Sequence, residues 1–224
     1  MSVSMRKSEM EFGFIYFALS YFLLPSVASL ASELFSIPLW CCQVGLFLSN
    51  FLFSLLIFHR FLLENGKAAL SSPGKLLGCT ALGLVFYYTA NLVVGYLILL
   101  VRPDYTNLND QKITTLAQDG GIYIAASAVV LVPVAEELLF RGLLFEAVRQ
   151  KHSVWGWILS AVAFSAVHIL GYVGSYDFIS FCLAFVQYLP AGLCLMWAYR
   201  ASGTIFTPIL MHTIINLMGV QILL

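Results

Sequence analysis

Residues 76–101 read LLGCTALGLVFYYTANLVVGYLILLV, a stretch without a single charged side chain. At 1.5 Å per residue, a helix of that length more than spans the ~30 Å hydrocarbon core of a bilayer. Several other runs approach or exceed the roughly 18 apolar residues that mark a membrane span. Composition agrees: 61% of the 224 residues are hydrophobic and 10% are charged, against about 25% charged in soluble domains. Mean hydropathy is +0.92. The formal net charge is zero and no basic run is present, so nucleic acid is not expected as a partner and the lipid bilayer is.

The apolar runs predict seven transmembrane helices, at 12–30, 37–58, 76–101, 122–148, 154–172, 178–199 and 204–224. The expected fold is all-α: a polytopic membrane helix bundle around a polar intramembrane cavity, with residues 1–224 forming a single membrane domain. The first run follows a short basic start, MSVSMRK, and no small-residue cleavage site closes it, so it reads as a retained span. Segment 102–121 reads as an ordinary solvated loop.

Charge distribution sets an orientation. Arg6, Lys7, Arg60, Lys67, Lys75, Arg149, Lys151 and Arg200 fall on one side of the seven-span arrangement, eight of the eleven Lys and Arg residues. Only Arg102 and Lys112 fall on the other, and Arg141 lies within a span. The positive-inside rule then makes the N-terminus cytoplasmic. The five cysteines, at 41, 42, 79, 182 and 194, lie in apolar runs without CxxC spacing, so they read as small buried hydrophobes.

The fourth predicted span carries AEELLFRG at 135–142. A charge at the centre of a span costs roughly 2.5–3.5 kcal/mol on insertion scales, so Glu136, Glu137 and Arg141 need a reason to be there. Glu137 and Arg141 are four apart on one helical face and can pair. Glu136 points about 100° away around the axis and is left free for chemistry. A buried network that merely holds helices together explains the pair, but not the second carboxylate.

The fifth span contains one ionisable residue, His168, and the seventh contains His212 and Asn216, four apart on one face. His59 and His152 sit beside basic residues at loop edges and read as interfacial groups. If the three spans converge, Glu and His can act as general base and acid on a water, and His and Asn can donate to an oxyanion. Glu136, His168 and His212 could equally hold Zn2+, with water as fourth ligand. No HExxH motif decides between these chemistries.

Three motifs, EELLFR at 136–141, FSAVH at 164–168 and HTIIN at 212–216, follow one another on separate predicted spans. Together they resemble the EExxxR, FxxxH and HxxxN pattern of the CAAX-protease and bacteriocin-processing (CPBP) intramembrane proteases, also called the Abi or type II CAAX endopeptidase family. The resemblance covers about 120–220, the expected catalytic core, with a looser match around Pro190 and Gly192. It implies Glu136 and His168 as the pair that activates water, and His212 and Asn216 as the oxyanion hole. Glu137, Arg141 and Phe164 would support them. It also implies a peptide or membrane-protein substrate cut at or within the bilayer. No tightly bound metal is expected, though members are often labelled metalloproteases. The small size and absence of organelle signals favour a bacterial cell membrane, where a prenylated substrate is not expected. The position of the glutamates leads to the expectation of a cavity open to the cytoplasmic side. Two other readings compete: a non-catalytic regulator or scaffold binding another membrane protein, such as a sensor kinase, and a proton-coupled carrier. The absence of inverted repeats weighs against the carrier.

Overall fold

The computed structural model describes residues 4–149 and 153–223, with side chains to Val220. His152 and Lys151 lie outside the described residues. The protein is an all-α polytopic helix bundle. Its helices are α1 (Lys7–Phe35), α2 (Leu39–Ile57), α3 (His59–Ser71), α4 (Pro73–Val101), α5 (Leu108–Gly120), α6 (Ile122–Arg149), α7 (Ser153–Leu170), α8 (Phe178–Ser202) and α9 (Phe206–Leu223).

Six of these, α1, α2, α4, α6, α7 and α8, are long and apolar enough to cross a membrane. The seventh expected span is α9, whose described apolar part, Phe206–Val220, is shorter. The sequence expectation misses α3 and α5. Both are too polar and too short to register as spans, and 102–121 is therefore not the solvated loop expected. Its helix is nucleated by Asn107, whose side chain accepts the backbone N–H groups of Asn109 and Asp110, an N-cap that satisfies two of the orphan donors at a helix start.

α6 is the central helix: 44% of its apolar window is buried, against 6% for α2 and α4, whose apolar side chains face outward toward lipid. It packs against α2, α7 and α9, while α8 packs between α4 and α7. Within a membrane, helices gain little from apolar burial as such, because lipid is equally apolar; close packing and internal hydrogen bonds hold them together. Close packing is visible at Gly192 of α8, where an added Cβ would lie 3.0 Å from the Ala161 carbonyl oxygen of α7. At the basic end, buried Asn65 of α3 donates to the Phe61 carbonyl and accepts the Ile205 amide, tying α3 to the start of α9.

α6 is not a uniform α-helix. It widens into π-helical turns at Ser127–Leu131 and Leu138–Leu144, on either side of Val132–Glu137. Pro133 has no N–H to give and clashes with the preceding turn, a recognised cause of such widening. The first π turn frees the Ala128 carbonyl, which accepts the side-chain amide of Asn216 from α9 at 2.9 Å.

Candidate active site

Glu137 and Arg141 are fully buried, and the pair expected from their spacing forms: Arg141 Nη1 donates to Glu137 Oε1 at 2.9 Å. Arg141 Nη2 reaches across to α8 and donates to the Gly192 carbonyl at 3.1 Å. Its guanidinium lies 4.5 Å from the centre of the Phe164 ring. One side chain thus joins α6, α7 and α8. Phe164, the first residue of FSAVH, is the apolar wall that shields the ion pair and also touches both catalytic candidates on the other side. Its ring centre lies 4.6 Å from that of His168 and 5.8 Å from that of His212.

The second partner of Glu137 is His212, whose Nδ1–H donates to Oε1 at 2.8 Å. That bond fixes the imidazole and turns Nε2 toward Glu136, whose Oε2 is 3.9 Å away. Glu136 Oε2 is itself buried and has no hydrogen-bond partner. Glu137 Oε2 also lacks a partner, so the two adjacent glutamates differ in place: Glu137 is fully buried with Oε1 held by Arg141 and His212, while Glu136 lines a cavity.

His168 is held by a short bond from Nδ1–H to the Phe164 carbonyl, 2.7 Å. With that proton on Nδ1, the neutral ring has its lone pair on Nε2. Phe164 covers one side of the imidazole, and Tyr188 of α8 stacks on it at 4.4 Å between centroids. No hydrogen bond or ion pair joins His168 to Glu136 among the described residues, but both line the same cavity of about 520 Å³, together with His212 and Asn216. The cavity is large enough for a peptide segment and water.

The cavity wall continues into α5 through Asn109, Asp110, Lys112 and Ile113. Its mouth is therefore at the end of the bundle where α6 begins, opposite the end carrying Arg60, Lys67, Lys75, Arg149 and Arg200. The sequence expectation instead set the opening on the side of the basic residues. The reason lies in α7, which ends at Leu170 beside the mouth, so that His168 is close to the end of its span remote from the basic face.

Sequence reasoning also missed Tyr188, Asn107, Asn109 and Asp110. The Tyr188 hydroxyl donates to Asp110 Oδ1 at 3.0 Å and accepts from Asn109 Nδ2 at 3.1 Å. Gln187 accepts from Tyr105 and Asn107 beside it. Burial raises the pKa of the Tyr105 hydroxyl above its ordinary value, which keeps it a neutral donor in that bond. The Asn107 cap was legible in the sequence; the partners on α8, some 80 residues away, were not.

A catalytic Zn2+ needs three protein ligands around one point. Among the described residues no group of three or more His, Cys, Asp or Glu side chains is gathered as a metal cluster. Glu136 and His212 approach each other, but His168 stands apart and Glu137 is engaged by Arg141. As placed, these side chains do not fit a three-ligand zinc site.

Comparison with known proteins agrees with this geometry. Residues 118–218 match the model of the Type II CAAX prenyl endopeptidase Rce1-like family. The UPF0177 protein YxdF of Lactococcus lactis subsp. lactis (strain IL1403) is 25% identical over 142 residues, covering 62% of this chain and 72% of that protein. No solved structure matches. The matched segment holds all of EELLFR, FSAVH and HTIIN, on the three helices that meet at the cavity, and over residues 118–218 this multi-pass membrane chain is similar to the type II CAAX prenyl endopeptidase Rce1-like family.

Proposed function

We propose that the chain hydrolyses a peptide bond of a membrane-associated peptide or protein inside the α5–α9 cavity, with Glu136 as the general base. The observation that carries this reading is the contrast between the glutamates: Glu136 lines the cavity with an unpartnered oxygen, whereas Glu137 is fully buried, is not among the lining residues, and gives Oε1 to both Arg141 and His212. A water held between Glu136 and the Nε2 lone pair of His168 gives its proton to the Glu136 carboxylate and attacks the scissile carbonyl carbon. The oxyanion that forms takes hydrogen bonds from the second amide hydrogen of Asn216, the first being given to Ala128, and from Nε2–H of His212 in its doubly protonated form, whose Nδ1–H stays on Glu137. Collapse breaks the C–N bond, and the proton held by Glu136 passes to the leaving amine. Glu137 and Arg141 act through His212 and the packing of α8. No step runs through a metal.

Under the positive-inside rule the basic face is cytoplasmic, so the mouth opens on the opposite side and substrate enters from there. The relative from Lactococcus lactis supports a bacterial origin.

The test is cleavage of a library of membrane-associated peptides by purified wild type, Glu136→Ala and Glu136→Gln, with and without chelator, read by mass spectrometry. Cleavage that survives chelator and is lost in both variants supports the reading. Loss with chelator and recovery with zinc replaces it with a metal mechanism. No cleavage by wild type, with both variants keeping full biological activity in cells, leaves a scaffold role instead.

A further inference from the structure

We propose that α5, which precedes the family-like segment's catalytic helices, is part of the catalytic apparatus: Asp110, acting through Tyr188, positions His168. The inference rests on the peptidase reading above and adds to it two positioning residues, Asp110 and Tyr188, neither of them in the three motifs.

His168 needs its Nε2 aimed at the water, and the imidazole can be turned out of line about two side-chain torsions. Three contacts oppose that turn. The Nδ1–H bond to the Phe164 carbonyl fixes one ring edge. The Phe164 ring lies against one face, tilted by 44°. Tyr188 stacks on the imidazole, tilted by only 27°. The first two come from α7 itself, and of the three contacts Tyr188 is the one that ties the imidazole to another helix.

Tyr188 is in turn fixed from α5. Its hydroxyl has a single proton, and the shorter acceptor is Asp110 Oδ1, at 3.0 Å against 3.2 Å for Asn107 Oδ1. Asn107 Oδ1 is already used to cap α5. Asn109 donates back to the same hydroxyl. These bonds use up the hydroxyl, so Tyr188 is a clamp and not a proton donor to substrate. The segment that carries Asp110 is itself anchored to the α7–α8 turn: the Tyr176 hydroxyl accepts the Leu108 amide at 2.6 Å, and Arg102 pairs with Asp177. The segment is thus held at both ends of the clamp and forms a fixed wall of the site.

The experiment uses full-length protein in detergent or liposomes and a peptide the wild type cleaves. Asp110→Ala should lower kcat roughly 10- to 100-fold, the scale on which small misplacements of a catalytic group act, with KM within about 3-fold. Asp110→Asn keeps an acceptor for the Tyr188 hydroxyl and should restore at least half of the wild-type kcat. Tyr188→Phe keeps the stacked ring and loses only the hydroxyl, so it should match Asp110→Ala even if that variant folds poorly. In parallel, spectra of protein labelled with 15N-histidine, with His168 assigned by His168→Gln, should show one sharp His168 signal in wild type and Asp110→Asn. The signal should broaden in Asp110→Ala and Tyr188→Phe. The proposal is overturned if kcat in Asp110→Ala and Tyr188→Phe stays within about 2-fold of wild type. A loss that falls on KM also overturns it, since Asp110 would then be touching substrate, and so does an Asp110→Asn variant as impaired as Asp110→Ala. Should wild type cleave nothing, the peptidase reading fails on its own, and the imidazole spectra alone decide the clamp.

Discussion

Replacing Arg141 with Met removes the one buried cation that neutralises Glu137. Arg141 and Glu137 are both fully buried and 2.9 Å apart, so the variant leaves an uncompensated carboxylate in a low-dielectric site. Breaking a buried pair in this way costs about 3–5 kcal/mol. His212 still donates to Glu137, which puts the expected loss near ~3 kcal/mol, the lower end of that range, and a large part of the ~5–15 kcal/mol that holds a typical fold. The loss of the Gly192 bond and of the Phe164 contact acts in the same direction. The double variant Glu137→Gln/Arg141→Met carries no stranded charge and should be destabilised by at least ~2 kcal/mol less than the sum of the two single variants. Unfolding in mixed detergent–SDS micelles, followed by fluorescence of the four tryptophans, measures all four proteins. Additivity of the singles within ~0.5 kcal/mol, or a loss below ~1 kcal/mol in Arg141→Met, would refute the argument that a desolvated ion pair is the structural centre of the bundle.

Other consequences follow from single contacts. Gly192→Ala places a Cβ 3.0 Å from the Ala161 carbonyl oxygen, so α7 and α8 must move apart; the same unfolding assay should show a loss of about 1–3 kcal/mol. Asn65→Ala strands the buried Ile205 amide and should cost about 1–3 kcal/mol there as well. Asp177 caps α8, and its pKa is held below the ordinary 3.8 first by the Ser180 backbone N–H and then by the Ser180 hydroxyl, with Arg102 adding. A depressed carboxyl stabilises the folded state above its unfolded value and stops doing so as pH falls through the folded one. Protection of the amides in the first turn of α8, taken relative to their intrinsic exchange, should therefore fall as pH drops below 3.8, and Asp177→Asn should abolish that loss of protection. For orientation, Gln111→Cys on α5 should react with a membrane-impermeant maleimide in intact cells and Lys67→Cys on α3 should not; the reverse labelling would place the mouth in the cytoplasm.

The spans were legible because uninterrupted apolar runs leave the backbone no alternative in lipid, and the Glu137–Arg141 pair because i,i+4 spacing fixes it locally. α3 and α5 were not, since their polar surfaces give no 18-residue apolar window. α5 owes its place to Tyr188 and Tyr176, which only tertiary contact brings near. The glutamates, judged by their own helix, pointed the cavity toward the basic end, whereas its lining reaches α5. His168, close to the end of α7 beside α5, was the better guide. The assignment of His212 to Glu137 also lies beyond sequence, since two adjacent glutamates offer it two partners and only the packing of α9 against α6 selects one.

The most direct measurement is the single-turnover rate of peptide cleavage by Glu136→Gln beside wild type, with both shown to unfold at the same point. The substitution keeps the shape of the side chain and removes its basicity. The account predicts a fall of roughly 100-fold or more, the contribution of a positioned general base, with chelator leaving the wild-type rate unchanged. A Glu136→Gln enzyme that cleaves within a few-fold of wild type would contradict it.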